Sequence, residues 1–240
     1  MPELPEVQTV VNDLIAAGLI GAQITGARVF WPRSIAIPAA RTFCKQVSGQ
    51  TITMISRRAK YIIIELAGGK TLLIHLRMSG RLNIAAPDKQ RGKHEHIILR
   101  FNDQRELRFH DTRKFGRIFL LGNPATVLDK LGPEPLDKAF TLRVFTALLR
   151  PRKRLLKPLL LDQNIIAGLG NIYVDEALWE ARLHPCRIAA SLTPAETKAL
   201  HRAIPRVLKR GLKNLGTSLG TGKANFYSVA GRSGRNRDQL

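Results

Sequence analysis

Residues 122–139 read GNPATVLDKLGPEPLDKA, and the pattern of the chain differs on the two sides of them. Three prolines and two glycines here predict a linker with room for at most one helical turn. Before it lie the short runs 23–31, 50–57, 60–66, 70–76, 94–101, 105–110 and 115–121, rich in Ile, Val, Leu, Thr or aromatic residues. Such runs predict strands, and Gly68-Gly69 between IIIEL and TLLIH predicts a hairpin turn. After it, TLRVFTALLR, RLLKPLLLDQ, IYVDEALWEA and TPAETKALHRAIPRVLKRGLKNL carry apolar residues at helical spacing. Thr193-Pro194 with Glu196 behind is a helix start.

One helix stands ahead of the strands. Residues 5–17 place Val7, Val10, Val11, Leu14 and Ile15 on one face, and Gly18 is a suitable stop. The reading is therefore an α+β multidomain chain with a β-sandwich and its N-terminal helix over 1–122. A linker follows at 123–139, an all-helical domain at 140–215, and a loose basic Gly-rich tail without a core pattern at 216–240. Trp31 and Trp179 read as core.

The charge narrows the function. The 240 residues hold 39 Lys and Arg against 18 Asp and Glu, a formal net charge of +21. Such a surplus repels itself in a compact fold unless a polyanion is the working partner, and nucleic acid is the first candidate. No run approaches the length of a bilayer-spanning helix, and the start lacks the basic and apolar regions of a secretory signal. Cys44 and Cys186, without any C-x-x-C, make neither a disulfide framework nor a zinc site and read as inert thiols in a reducing cytosol.

Several short stretches carry possible chemistry. In MPELPEV, removal of Met1 leaves Pro2 with a secondary amine, which titrates near 8 and is a nucleophile once deprotonated. Glu3 lies beside it, and Glu6 lies one helical turn on. The same stretch also suits a purely structural acidic first turn. In RRAKY, Arg57, Arg58 and Lys60 are either a solvated edge or phosphate contacts. HLRMSG puts Met78 on a loop, and DTRKFGR puts Arg113 and Phe115 around Lys114 in a turn, where an exposed pair can wedge into a base stack. In GLGNIY, Gly168 and Gly170 break one helix and Asn171 is expected to cap the next, exposing N–H groups that suit a phosphate. Arg150, Arg152, Lys153, Arg154 and Lys157 lie upstream. His94-Glu95-His96 lacks an obvious third metal ligand and reads as a phosphate contact or a solvent face.

MPELPEV, RRAKY, HLRMSG, DTRKFG, LGPEPL and GLGNIY, in this order, resemble the formamidopyrimidine-DNA glycosylase/endonuclease VIII family of base-excision repair enzymes. The resemblance runs from Met1 to about residue 220, and the PELPE leucine with the Met/Arg/Phe set points to the formamidopyrimidine branch. It implies a bifunctional glycosylase and abasic-site lyase for oxidised purines, with an oxidised pyrimidine substrate or a non-catalytic DNA-binding relative as alternatives. Pro2 would be the Schiff-base nucleophile, Glu3 the general acid/base, Glu6 a support for the first helix, and Lys60 a phosphate contact that assists elimination. Met78, Arg113 and Phe115 would fill the gap left by the everted nucleotide. Asn171, in a helix–two-turns–helix element, and Lys157 would grip phosphates. His75, His94, Lys114, Arg152, Gly168 and Gly170 fall at DNA-contacting positions.

The implied partner is duplex DNA with oxidised bases or abasic sites, met by a monomer in the bacterial cytosol or nucleoid, with no membrane involved. Most bacterial members carry a four-cysteine zinc ribbon whose hairpin brings an arginine to the lesion's phosphate. No cysteine follows Cys186 here, so no cofactor is expected. Arg232, Arg235 and Arg237 are the candidates for a substitute cation.

Overall fold

The computed structural model describes residues 1–218 and 226–236. The chain opens with helix α1 (Leu4–Ala16), followed by β1 (Ile24–Val29), β2 (Ile35–Ile37), α2 (Ala40–Val47), β3 (Ile52–Arg58), β4 (Tyr61–Leu66) and β5 (Thr71–His75). Then come β6 (Gly80–Ala85), β7 (Glu95–Phe101), β8 (Glu106–Asp111) and β9 (Arg117–Leu121). One short helix, α3 (Ala125–Leu128), precedes the helical half: α4 (Leu142–Leu149), α5 (Leu156–Leu161), α6 (Asn171–Glu180) and α7 (Pro194–Lys213).

The strands form two sheets, in the orders β1-β7-β8-β6 and β2-β9-β5-β4-β3. Pairing is antiparallel except between β2 and β9. The tight β4–β5 hairpin turns at Gly69, whose φ of +73° strains any residue with a Cβ. Ile97, Leu99 and Phe109 from one sheet share a single buried cluster with Ile62, Ile64 and Ile74 from the other, so the sheets make a sandwich. Val7, Val10, Val11 and Leu14 seat α1 in this core. Leu4, one turn earlier, belongs instead to the helical core with Leu169, Tyr173 and Leu208. The first helix is thus shared by both halves, and its N-terminus lies at their junction.

Several expectations are corrected. The strand β6 and the helix α2 occupy stretches whose sequence pattern predicts no regular structure. Trp179 is not core: it is 86% exposed. The buried stripe of α6 runs through Tyr173, Val174, Ala177 and Leu178, and position 179 falls off it. Trp31 is half-buried, with the Lys114 ammonium 4.0 Å from its ring centre. The tail is not loose where described: Phe226 joins the sandwich core, and Ser228 and Asn236 are buried. No described helix is long and apolar enough to cross a membrane.

Arg57 and Arg58 are neither free edge cations nor open phosphate contacts. Arg57 forms a two-pronged pair with Glu134 at 2.8 and 2.7 Å, and Arg58 donates to the Gly132 carbonyl at 2.7 Å. Glu134 also accepts the Ala59 N–H, so the linker is bolted to the turn that presents Lys60. These cations hold the Glu134 carboxyl below the usual range despite its burial.

Candidate active site

Glu3 caps α1 with its backbone while its side chain reaches across to α6. The carboxylate accepts N–H groups from Gly170 at 2.7 Å, Ile172 at 3.0 Å and Tyr173 at 3.4 Å. It therefore sits on the positive end of α6, where free N–H groups favour an anion. Gly170, not Asn171, is the N-cap residue, which corrects the expected cap; Asn171 is the first helical residue and is exposed. A Cβ on Gly170 would lie 2.4 Å from the Glu3 carboxyl carbon, so only glycine lets the acid approach. Gly168, at φ +96°, accepts the Leu4 N–H on its carbonyl at 3.1 Å, and a Cβ there would lie 2.7 Å from the Leu4 Cδ1.

Glu6 is buried beneath Glu3. It accepts the Glu3 N–H at 2.8 Å, the Thr217 N–H at 2.7 Å and the Tyr173 hydroxyl at 2.8 Å. Burial pushes the carboxyls of Glu3 and Glu6 up, Glu3 to about 7, with Lys60 acting against the rise at Glu3. Lys60 itself is buried, and desolvation lowers its pKa although Glu3 and Glu6 favour its charge. An acid titrating near neutrality beside a partly desolvated lysine can move protons at physiological pH.

Pro2 is buried at the wall of a cleft of about 230 Å³, with Met78, Gly80, Arg81, His110 and Phe226 among the other lining residues. Met78 and Phe115 are exposed at 45% and 48%, unusual for such large apolar groups. The Arg113 guanidinium lies 4.9 Å from the Phe115 ring centre. Asp111, fully buried, sets both turns: it accepts N–H groups from Arg113 at 3.2 Å and Gly116 at 2.7 Å and the hydroxyl of Ser79. Lys114, at φ +60°, turns away onto Trp31.

His75 lies beside Lys60 and Arg77, and burial with these cations holds it down to about 3. It is neutral; its Nδ1 accepts the Arg77 N–H at 3.0 Å, leaving Nε2–H as a donor. His94 is half-buried, 5.7 Å from the His110 ring and 6.5 Å from His96. In the helical half, Arg152 donates to the Leu148 carbonyl and Lys157 pairs with Asp175 at 2.7 Å. The structure thus brings Pro2, Glu3, Glu6, Lys60, Gly168, Gly170 and Asn171 to one junction, with Met78, Arg113 and Phe115 presented on ordered turns. It does not leave Lys157 or Arg152 unengaged.

Of the three tail arginines, Arg232 is paired with Asp13 and its side chain is half exposed. Arg235 is exposed, and Arg237 lies outside the described residues. Among the described residues no group of three or more His, Cys, Asp or Glu side chains fits a metal ion, and the residues present do not fit zinc. Tyr173, Asp111, Glu134 and Thr217 are site residues that the sequence pattern does not single out. A detectable signal existed only for Asp111, an Asp opening a turn.

Residues 1–118 match the family model of the formamidopyrimidine-DNA glycosylase N-terminal domain, and residues 131–222 match that of the formamidopyrimidine-DNA glycosylase H2TH domain. The chain belongs to the formamidopyrimidine-DNA glycosylase family. The formamidopyrimidine-DNA glycosylase of Protochlamydia amoebophila is 45% identical over 240 residues, covering 100% of this chain and 87% of the relative. A variant of the Lactococcus lactis protein bound to Fapy-dG-containing DNA superposes with a TM-score of 0.90 at 35% identity, covering 100% of this chain and 87% of that one. The wild-type Lactococcus lactis protein bound to oxidised-pyrimidine DNA gives 0.89 at 35% identity, with coverage of 100% and 86%. As a member of this family the chain is a DNA glycosylase of DNA repair.

Proposed function

We propose that this glycosylase excises oxidised purines, 8-oxoguanine and formamidopyrimidines, from duplex DNA and then nicks the strand as an abasic-site lyase. The observation that carries this reading is the buried Glu3 carboxyl, held on the Gly170 and Ile172 N–H groups at the start of α6 and one residue from Pro2 in the chain, where burial raises its pKa to about 7. Removal of Met1 frees the Pro2 nitrogen. Its lone pair attacks C1′ of the everted nucleotide, the glycosidic bond breaks, and the base leaves with the bonding electrons and a proton. The proton the base takes is the one shed by the Pro2 nitrogen on attack. Glu3 in its neutral form donates its own proton to the sugar ring oxygen as the ring opens, which leaves an iminium on C1′ and a Glu3 carboxylate. That cation acidifies C2′; loss of its proton expels the 3′ phosphate and cuts the strand. Glu6 steadies Glu3 through the Glu3 N–H, and Lys60 contacts phosphate during the elimination.

Eversion costs a few kcal/mol, less where damage has weakened stacking. Met78, Arg113 and Phe115 fill the vacated space, with Arg113 toward the orphaned cytosine. Asn171, His75, His94, Arg152 and Lys157 make backbone contacts, for which Lys157 must exchange Asp175 for phosphate. Lys114 joins them only by leaving Trp31, and the buried Gly168 and Gly170, whose N–H groups are bound to Gln163 and Glu3, act by shaping the turn that presents Asn171. The protein acts as a monomer in the bacterial cytosol or nucleoid, without a cofactor. The likeness to a relative solved on oxidised-pyrimidine DNA supports that lesion class as a second substrate.

The test compares strand cleavage and borohydride trapping on 8-oxoguanine, formamidopyrimidine and oxidised-pyrimidine duplexes. Cleavage and trapping on the purine lesions, faster than on the pyrimidine, are expected. Faster pyrimidine cleavage overturns the substrate assignment, and salt-sensitive binding without cleavage of any duplex overturns the enzymatic one.

A further inference from the structure

The described tail, residues 226–236, crosses from the sandwich to the end of α7 and is fastened at both ends. At the first end Asp13, on α1 and almost fully buried, accepts the Ala230 N–H at 2.9 Å and pairs with Arg232. Between these contacts the segment folds on itself: Ser228 N–H donates to the Arg232 carbonyl at 2.8 Å, and Tyr227 bridges Ser233. At the second end Asn236 is fully buried. Its amide donates to Glu176 at 2.9 Å and to the Thr217 hydroxyl at 3.1 Å, and its oxygen accepts from Asn214 at 3.1 Å. Gly234 lies on Gly216, where a Cβ would meet the Gly216 carbonyl at 2.4 Å.

Both fastenings lead to the reaction site. Thr217 gives its N–H to Glu6, and Phe226 and Tyr227 line the cleft that holds Pro2 and Met78. The Ser218 hydroxyl, beside Thr217, donates to the Phe226 carbonyl at 3.0 Å and accepts the Phe226 N–H at 3.2 Å.

Resting on the function proposed above, we propose that Asp13 and Asn236 are positioning residues for base excision: they hold a strap whose Phe226 and Tyr227 form one wall of the Pro2 cleft. A damaged base entering the cleft meets that wall; an abasic site has no base to hold. Loosening the strap therefore slows base removal and spares the chemistry at a sugar that has already lost its base.

The test uses the full chain with Asp13→Asn, Asn236→Ala and Arg232→Gln. The Arg232 side chain is half exposed, so its replacement unfastens the strap with least disturbance to the core. Single-turnover excision of 8-oxoguanine is expected to fall about tenfold or more in each variant. Borohydride trapping on a preformed abasic duplex should stay within about twofold of the parent. Unchanged excision overturns the proposal. So does a loss of both activities in step with a drop in melting temperature, which marks a merely structural strap. A parent protein inactive on both duplexes overturns the underlying functional reading, a result distinct from either.

Discussion

The Glu3 carboxylate accepts the Gly170 N–H at 2.7 Å, across 167 positions of sequence. One bond thus joins the first turn of the chain to the start of α6, and the acid is placed by both halves of the protein at once. Gly170→Ala tests that relationship. The added methyl would lie 2.4 Å from the Glu3 carboxyl carbon, so the acid must move. Base excision should fall roughly a hundredfold, the cost of a misplacement near 1 Å. The overpacked site should lose about 1–3 kcal/mol of stability by urea denaturation.

The raised pKa of Glu3 gives stability a pH signature. Folding lifts it from an ordinary 4.5 to about 7, so between those values the folded protein binds more protons than the unfolded chain. Stability from this group is fully present below pH 4.5 and lost as pH rises through 7. Across the whole window the loss amounts to about 3 kcal/mol, since a tenfold change in proton affinity is worth about 1.4 kcal/mol. In Glu3→Gln the decline over that window should be smaller. A parallel pH profile of melting temperature in the two proteins would contradict this.

The Arg57–Glu134 pair is nearly buried, at 9% and 12% side-chain exposure. Glu134→Ala leaves the guanidinium of Arg57 without its partner and should destabilise the protein by about 3–5 kcal/mol in chemical denaturation. Because Glu134 also holds the Ala59 N–H next to Lys60, strand cleavage after base loss, the step Lys60 assists, should fall as well.

Met78 and Phe115 contribute almost nothing to the core. Met78→Ala and Phe115→Ala should each change stability by less than about 0.5 kcal/mol. Excision of 8-oxoguanine should nevertheless drop about tenfold, since the everted state loses the groups that fill its gap. Equal excision in the double variant and the parent would remove the wedge role.

Much of this was legible in the sequence because it is periodic. Ile62 and Ile64 alternate inward on β4, and Val7, Val10, Val11 and Leu14 recur on α1, so both elements announce themselves. The helix α2 carries little periodic signal, because only Phe43 and Val47 of its eight residues are buried and no side chain caps it. The strand β6 begins at a glycine pressed against the Leu76 carbonyl, and the turn before it masks its short alternation. Non-local polar contacts leave no period at all. Glu134 answers Arg57 from 77 residues away, Asp13 answers Arg232 from 219, and Asn236 reaches Glu176 from 60. For that reason sequence alone does not show that the cations at 57, 58 and 232 have partners within the fold. Pro2 and Glu3 stood out as an unusual acidic start, while the second anchor of Glu3 on α6 was visible only in three dimensions.

The central claim is that the Pro2 nitrogen bonds to the sugar, and its most direct test is peptide mapping of the borohydride-trapped adduct by mass spectrometry. The account predicts a processed N-terminus lacking Met1, with the reduced deoxyribose remnant carried on Pro2. An adduct mapped to Lys60 or another lysine, or efficient trapping by a protein that retains Met1, would contradict it.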